Sequence, residues 1–306
     1  MCLVYRLYLP KSISSLGGIT INRSVEIFGQ TIEVYRRGSS KQTVVIQTGM
    51  GCSFYDWLPI IEKLSQKFTV ISYHRPGYGK SELGTNPRTT MQVVKELHML
   101  LHELDIYEPI ILIGHSYGGL CAQHFAMLHE DRLQAILLVD STSMNLHRLD
   151  ELHLPVSDQT DSDDMWLQKY HTYSNMDAEA LYNELKSMLV NTTKQHIKFS
   201  TSPSLYKAIA SELSEWKNCS RSIKKQHKTL EIPLIVIGRD PQYSIAQLIE
   251  GGMPKEEATQ LEDMWQELIR EQLNLSINSQ YILAEDAGHG IENDRPDTII
   301  DAIHSL

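Results

Sequence analysis

Short runs of β-branched and aliphatic residues alternate along this chain with longer segments of helical period, and few architectures accept that rhythm. Val44 to Gln47, Phe68 to Tyr73, Ile110 to Ile113, Ala135 to Val139, Leu234 to Ile237 and Gln280 to Ala284 read as strands. Several are continuously apolar, as strands buried on both faces must be. Between them, Met91 to Leu104, Leu120 to His129 and Glu256 to Leu273 repeat apolar residues every three or four positions, and another helix is expected from about Trp57. Strand, helix and strand in succession make βαβ units, so the expected fold class is α/β with a mostly parallel sheet. Only the start departs from this rhythm: Val25 to Phe28 and Thr31 to Arg36 flank Gly29-Gln30 and predict an opening hairpin. The chain closes on a helix from Pro296 to Leu306, with proline in its first turn.

After Ser141 the alternation breaks. Asp163 to Tyr173, Asp177 to Val190 and Pro203 to Trp216 carry helical patterns, and no strand signal returns until Pro233 opens Leu234 to Ile237. This reads as an insertion in a single body, which 306 residues can accommodate because a chain of that length buries roughly 75% of its unfolded surface. The polar run Ser157 to Asp164 is expected as an exposed loop leading to a helix N-terminus, where acidic side chains suit the dipole.

Charge and apolar runs exclude several classes. With 28 basic against 38 acidic side chains the formal charge is −10, so there is no basic nucleic-acid footprint. Apolar runs stop at about five residues against the ~20 that a spanning helix needs, so no membrane span is expected. Met1 to Leu7 make a poor secretory leader, which points to the cytoplasm. The four cysteines (Cys2, Cys52, Cys121 and Cys219) are scattered and read as reduced thiols, neither a disulfide framework nor a metal site.

The chemistry is concentrated at Gly114-His115-Ser116-Tyr117-Gly118-Gly119, a G-x-S-x-G pattern lying between an expected strand and an expected helix. A serine on so sharp a turn adopts a strained backbone, and only glycines two positions either side let strand and helix pass. The turn also places Ser116 at a helix N-terminus, where free N–H groups stabilise developing negative charge. A serine hydroxyl needs a base to become a nucleophile. Among thirteen histidines the candidate is His289, framed by Gly288 and Gly290 on the loop after the last strand. His115 is expected to point away from the elbow, His74 to line the site from a neighbouring loop, and the helical pair His98 and His102 to be structural, since no third metal ligand is near. The base in turn needs a carboxylate to fix its tautomer. Asp240, after the penultimate strand, is the nominee, with Asp140 as the alternative; the other would cap a turn or helix. For the oxyanion, the turn Thr48 to Ser53 and the elbow offer the amides of Met50 and Tyr117. Gly49-Met50-Gly51 fails as a dinucleotide loop because Phe54 stands where glycine is required, and His74 replaces the first glycine of a phosphate loop ending at Gly79-Lys80-Ser81. No cofactor and no metal are expected.

From about residue 25 to the C-terminus, the elbow at Ser116, the loop His74 to Ser81, Asp240 and His289, in the order Ser, Asp, His, make the chain resemble the α/β-hydrolase superfamily, in particular its cap-bearing serine esterase-like members. The resemblance implies a three-layer fold with an eight-stranded, mostly parallel sheet. It also implies a helical cap inserted after the sixth strand, here 141–232, between core segments 1–140 and 233–306. Many members carry His-Gly where this chain has Thr48-Gly49. The expected activity is hydrolysis of a carboxylic ester or related acyl bond in a small molecule, by a monomer or homodimer. Carbon–carbon bond hydrolysis, perhydrolysis, acyl transfer and ligand binding without turnover are the alternatives. A serine at the elbow argues against epoxide hydrolase or dehalogenase chemistry, for which this superfamily uses an aspartate. The aromatic residues of the insertion, among them Trp166, Tyr170, Tyr173 and Phe199, could wall an apolar pocket.

Overall fold

The computed structural model describes residues 20–306; Cys2 and the leader reading at Met1 to Leu7 lie outside them. Eight strands form one sheet: β1 Thr20–Ile27, β2 Gln30–Arg37, β3 Thr43–Gln47, β4 Thr69–Tyr73, β5 Ile110–His115, β6 Leu133–Val139, β7 Leu234–Arg239 and β8 Ser279–Ala284. Their spatial order is β1-β2-β4-β3-β5-β6-β7-β8, with β2 antiparallel to both β1 and β4 and every other pair parallel. The opening hairpin turns at Phe28 and Gly29, both with positive φ, so Gln30 belongs to β2 rather than to the turn.

Alternation along the strands divides the core in two. Val44 and Ile46 of β3 face one side with Ile111 and Ile113, under α1 (Leu58–Leu64) and the C-terminal helix Pro296–His304. Val45 and Leu112 face the other, under α2 (Thr90–Glu103) and α3 (Tyr117–Leu128). The result is three layers, the arrangement required when a parallel sheet must be covered on both faces. The order in which strands are added reverses at β3, with β4 laid on one side of it and β5 on the other, all three parallel. Crevices open beyond the carboxyl ends of strands at such a switch point.

Between β6 and β7 the described chain has no strand. It forms α4 (Ser157–Thr160), α5 (Asp163–Ser174), α6 (Ala178–Leu185), α7 (Lys194–Ser200) and α8 (Pro203–Lys225). The helix expected to reach Val190 stops at Leu185, whereas α8 runs past Trp216 because its buried stripe continues through Cys219 and Ile223. The polar run from Ser157 is not a free loop. Glu257 accepts hydrogen bonds from the amides of Val156 and Ser157 and from Ser157 Oγ, pinning the short α4, and Ser162 then caps α5. After β7 come α9 (Pro241–Glu250), which the sequence reading missed, and α10 (Lys255–Glu271); α11 (Ile291–Asp294) precedes the last helix, α12 (Pro296–His304). No helix among the described residues is long and apolar enough to cross a membrane.

Candidate active site

Ser116 stands between β5 and α3 with φ 53° and ψ −125°, a conformation costly for any side-chain-bearing residue and held here by its surroundings. Its amide donates to Val139 O, and its carbonyl accepts from the amides of Gly119 and Thr142. The flanking glycines are obligatory: a Cβ at Gly114 would lie 2.6 Å from Gly119 Cα, and one at Gly118 2.2 Å from Gln47 O. The Ser116 hydroxyl is buried, and Oγ has no hydrogen-bond partner among the described residues.

His289 arrives on the loop after β8. Its Nδ1 lies 2.6 Å from Asp140 Oδ2, its ring meets Trp265 edge-on at 5.9 Å, and Nε2, like Ser116 Oγ, is unpartnered. Burial holds this imidazole below the usual histidine range, even though Asp140 pulls in the opposite direction. Asp140 is fully buried just past β6, where Trp265 Nε1 donates to Oδ1 at 2.9 Å and Arg239 Nη1 to Oδ2 at 3.4 Å. Burial would raise its pKa, but Arg239 and His289 outweigh burial and keep the carboxyl below the ordinary aspartate value.

Asp240 therefore does not occupy the place expected of it. Its carboxylate caps α9, with Oδ1 accepting from the amides of Gln242 and Tyr243 and Oδ2 from Asp286. Pro241 at the first helical position starts a helix immediately after β7 and consumes the acid as its cap. The dipeptide Asp240-Pro241 is itself a helix-start signal, and it could have favoured Asp140 from sequence. His74 is also displaced from its expected role: it does not line the cavity but is buried between Glu33 Oε2 and Ser53 Oγ, both at 2.8 Å. His98 stacks on His129, and the described residues contain no cluster able to hold a metal.

The loop after β3 passes beside the elbow because Gln47 pairs with Gly114; a Cβ on Gly49 would sit 3.2 Å from that of Ser116. This brings Met50 to the cavity wall, and Tyr117 stands in the first turn of α3, where N–H groups lack helical partners. The loop is held from outside. Arg75 donates through Nη1 to Thr48 O and through Nη2 to Gly49 O, and its other donors grip Glu212 of α8. Tyr78 OH donates to Glu212 Oε2 and accepts from the Gly51 amide at 3.0 Å. Arg75 and Tyr78 lie within the loop His74 to Ser81 already singled out; Glu212 carries no local signal at all.

A cavity of about 90 Å³ lies between this floor and the helices of the insertion. That is room for several waters or a small organic group, at roughly 10–15 Å³ for each water. Met50, His115, His289 and Glu292 line it below; Tyr170, Tyr173, Phe199 and Tyr206 line it above. His196 of α7 bonds Asp56 at 2.9 Å, tying insertion to core at the cavity edge.

The family model described as alpha/beta hydrolase fold matches residues 42–232, more than half of the chain. The chain belongs to the alpha/beta hydrolase family. Across most of its length this hydrolase is similar to Uncharacterized protein YqjL of Bacillus subtilis strain 168, at 25% identity over 272 residues covering 89% of this chain and 86% of that one. Among solved structures it superposes on the epoxide hydrolase CorEH with a TM-score of 0.65 at 18% identity, covering 94% of this chain and 98% of that one. The enol-lactonase from Burkholderia xenovorans LB400 gives 0.62 at 17%, covering 92% and 98%. These two likenesses concern the fold. Hydrolase chemistry is the common ground of the family.

Proposed function

We propose that this hydrolase cleaves a carboxylic ester or related acyl bond through Ser116, His289 and Asp140, with residues 141–232 acting as a cap over the site. The observation that carries the reading is that Ser116 Oγ on the elbow and His289 Nε2 on the cavity wall are both buried without a hydrogen-bond partner among the described residues, with Asp140 holding Nδ1 of that histidine. The bond to Asp140 keeps the proton on Nδ1 and leaves Nε2 free to accept one. Ser116 Oγ attacks the carbonyl carbon as its proton passes to Nε2, and the buried carboxylate of Asp140 stabilises the imidazolium. The Met50 and Tyr117 amides receive the oxyanion, each such donor contributing on the order of 10²–10³ in rate. Collapse expels the alcohol with the proton from His289, and water resolves the acyl-enzyme by the same steps.

The test is intact mass after treatment with a small fluorophosphonate, on wild type and Ser116→Ala, with folding followed by circular dichroism. A single adduct on wild type that is lost in the variant supports the reading, and ester substrates are then assayed. A folded wild type that forms no adduct and hydrolyses no ester refutes it in favour of ligand binding without turnover.

A further inference from the structure

Two further buried polar atoms beside this cavity lack partners and take no part in the steps above: Glu292 Oε2 and His115 Nδ1. His115 Nε2 donates to the carbonyl of His289 at 2.9 Å, so its bare Nδ1 can only accept. Glu292 lies in the first turn of α11, three residues beyond His289, and its side chain is 3% exposed. Its Oε1 accepts from Asn293 Nδ2 at 3.3 Å, and His115 Nε2, at 3.7 Å from Oε2, is the one basic group within 4 Å among the described residues. The other groups around it are Asp56 from the 3₁₀ turn before α1, the half-buried Cys52, His289, and Asp294 of its own helix. None is a permanent cation. Lys169, exposed at the rim, is engaged over the Trp166 and Tyr173 rings.

A carboxylate left in that setting without a counter-charge is far costlier than a carboxylic acid. Burial, reinforced by the charge of Asp56, raises the Glu292 pKa to about 8, so near neutrality the group is a hydrogen-bond donor with no acceptor among the described residues. An unsatisfied donor on the wall of a small binding cavity is a demand on the ligand.

We propose that Glu292, as the neutral acid, is a specificity-determining donor that selects small uncharged esters carrying a second oxygen acceptor near the scissile carbonyl. The proposal rests on the acyl-hydrolase reading and deepens it. An anionic substituent is disfavoured by Asp56, which lines the same cavity; an ether, hydroxyl or carbonyl oxygen satisfies the donor. A purely aliphatic acyl or alcohol group leaves it unpaired, which is how a site built for hydrogen bonding rejects an analogue.

The experiment compares two matched pairs in which one CH2 is replaced by oxygen: 4-nitrophenyl butyrate with 4-nitrophenyl methoxyacetate, and butyl acetate with 2-methoxyethyl acetate. Each kcat/KM is corrected for the uncatalysed rate. In wild type the oxygenated member of at least one pair is preferred, and Glu292→Leu reduces that preference by about tenfold. Glu292→Gln, which keeps a donor and the shape, retains it. In wild type the preference decays as pH rises through about 8, when Glu292 ionises, and in Glu292→Gln it is flat over that range. Equal ratios for both pairs in wild type and Glu292→Leu overturn the proposal, as does a wild-type preference that ignores pH. Turnover with such unchanged ratios defeats this subsite alone, whereas no turnover and no fluorophosphonate adduct defeat the acyl-hydrolase reading.

Discussion

Replacing Asp140 by asparagine removes a charge and little else in volume, and the structure specifies the result. Asparagine can still accept from Trp265 Nε1 through its carbonyl oxygen. Its NH2 then faces both His289 Nδ1 and Arg239 Nη1, where the carboxylate now accepts at 2.6 and 3.4 Å. Two donors cannot share that position, so the imidazole places its proton on Nε2 and offers a donor to Ser116 where an acceptor is required. Loss of the correct tautomer in a triad of this type lowers kcat by about 10⁴, equivalent to about 5.5 kcal/mol. The stability cost is smaller, because Arg239 keeps its 2.6 Å partner Glu262. Asp240→Asn serves as the control: asparagine caps helices about as well as aspartate, so activity stays within about tenfold of wild type. The assay is steady-state hydrolysis of a 4-nitrophenyl ester by both variants, with urea unfolding in parallel. A folded Asp140→Asn enzyme within tenfold of wild type, or the opposite ranking of the two aspartates, refutes the reasoning.

The pH profile and the oxyanion loop supply two further tests. Because burial lowers the His289 pKa, kcat/KM for an ester without ionisable groups rises through a pKa below the usual histidine value of about 6.5. A limb centred above 7 contradicts the burial described for that ring. Glu212→Ala leaves the Arg75 guanidinium buried and unpaired and is expected to cost about 3–5 kcal/mol in denaturant unfolding. The double change Arg75→Met with Glu212→Leu restores much of that stability, yet lowers kcat/KM because the Thr48 and Gly49 carbonyls lose their anchor; full activity in the stable double variant would show that the loop holds its own shape.

Local periodicity and turn chemistry are legible in the amino-acid sequence. Buried parallel strands, an antiparallel opening hairpin, a strandless stretch after Ser141 and a glycine-flanked elbow at Ser116 all follow from residues within a few positions of one another. His289 was legible for the same reason, as a histidine between glycines at the end of the last strand. What tertiary structure decided is which distant groups meet. Asp140 and Asp240 each follow a strand, and Val139 and Ile237 of those strands pair directly, so the two acids leave the sheet edge side by side. The nascent α9 takes one as its cap, while Trp265 and Arg239 turn the other toward the imidazole. The grip of Arg75 and Glu212 on the loop after β3 spans 137 positions in the chain, and the raised pKa of Glu292 comes from burial and from Asp56, far away in sequence, with no cation set against it. Neither leaves a local pattern, because burial and the absence of a counter-charge are properties of the packed molecule and not of any segment of it.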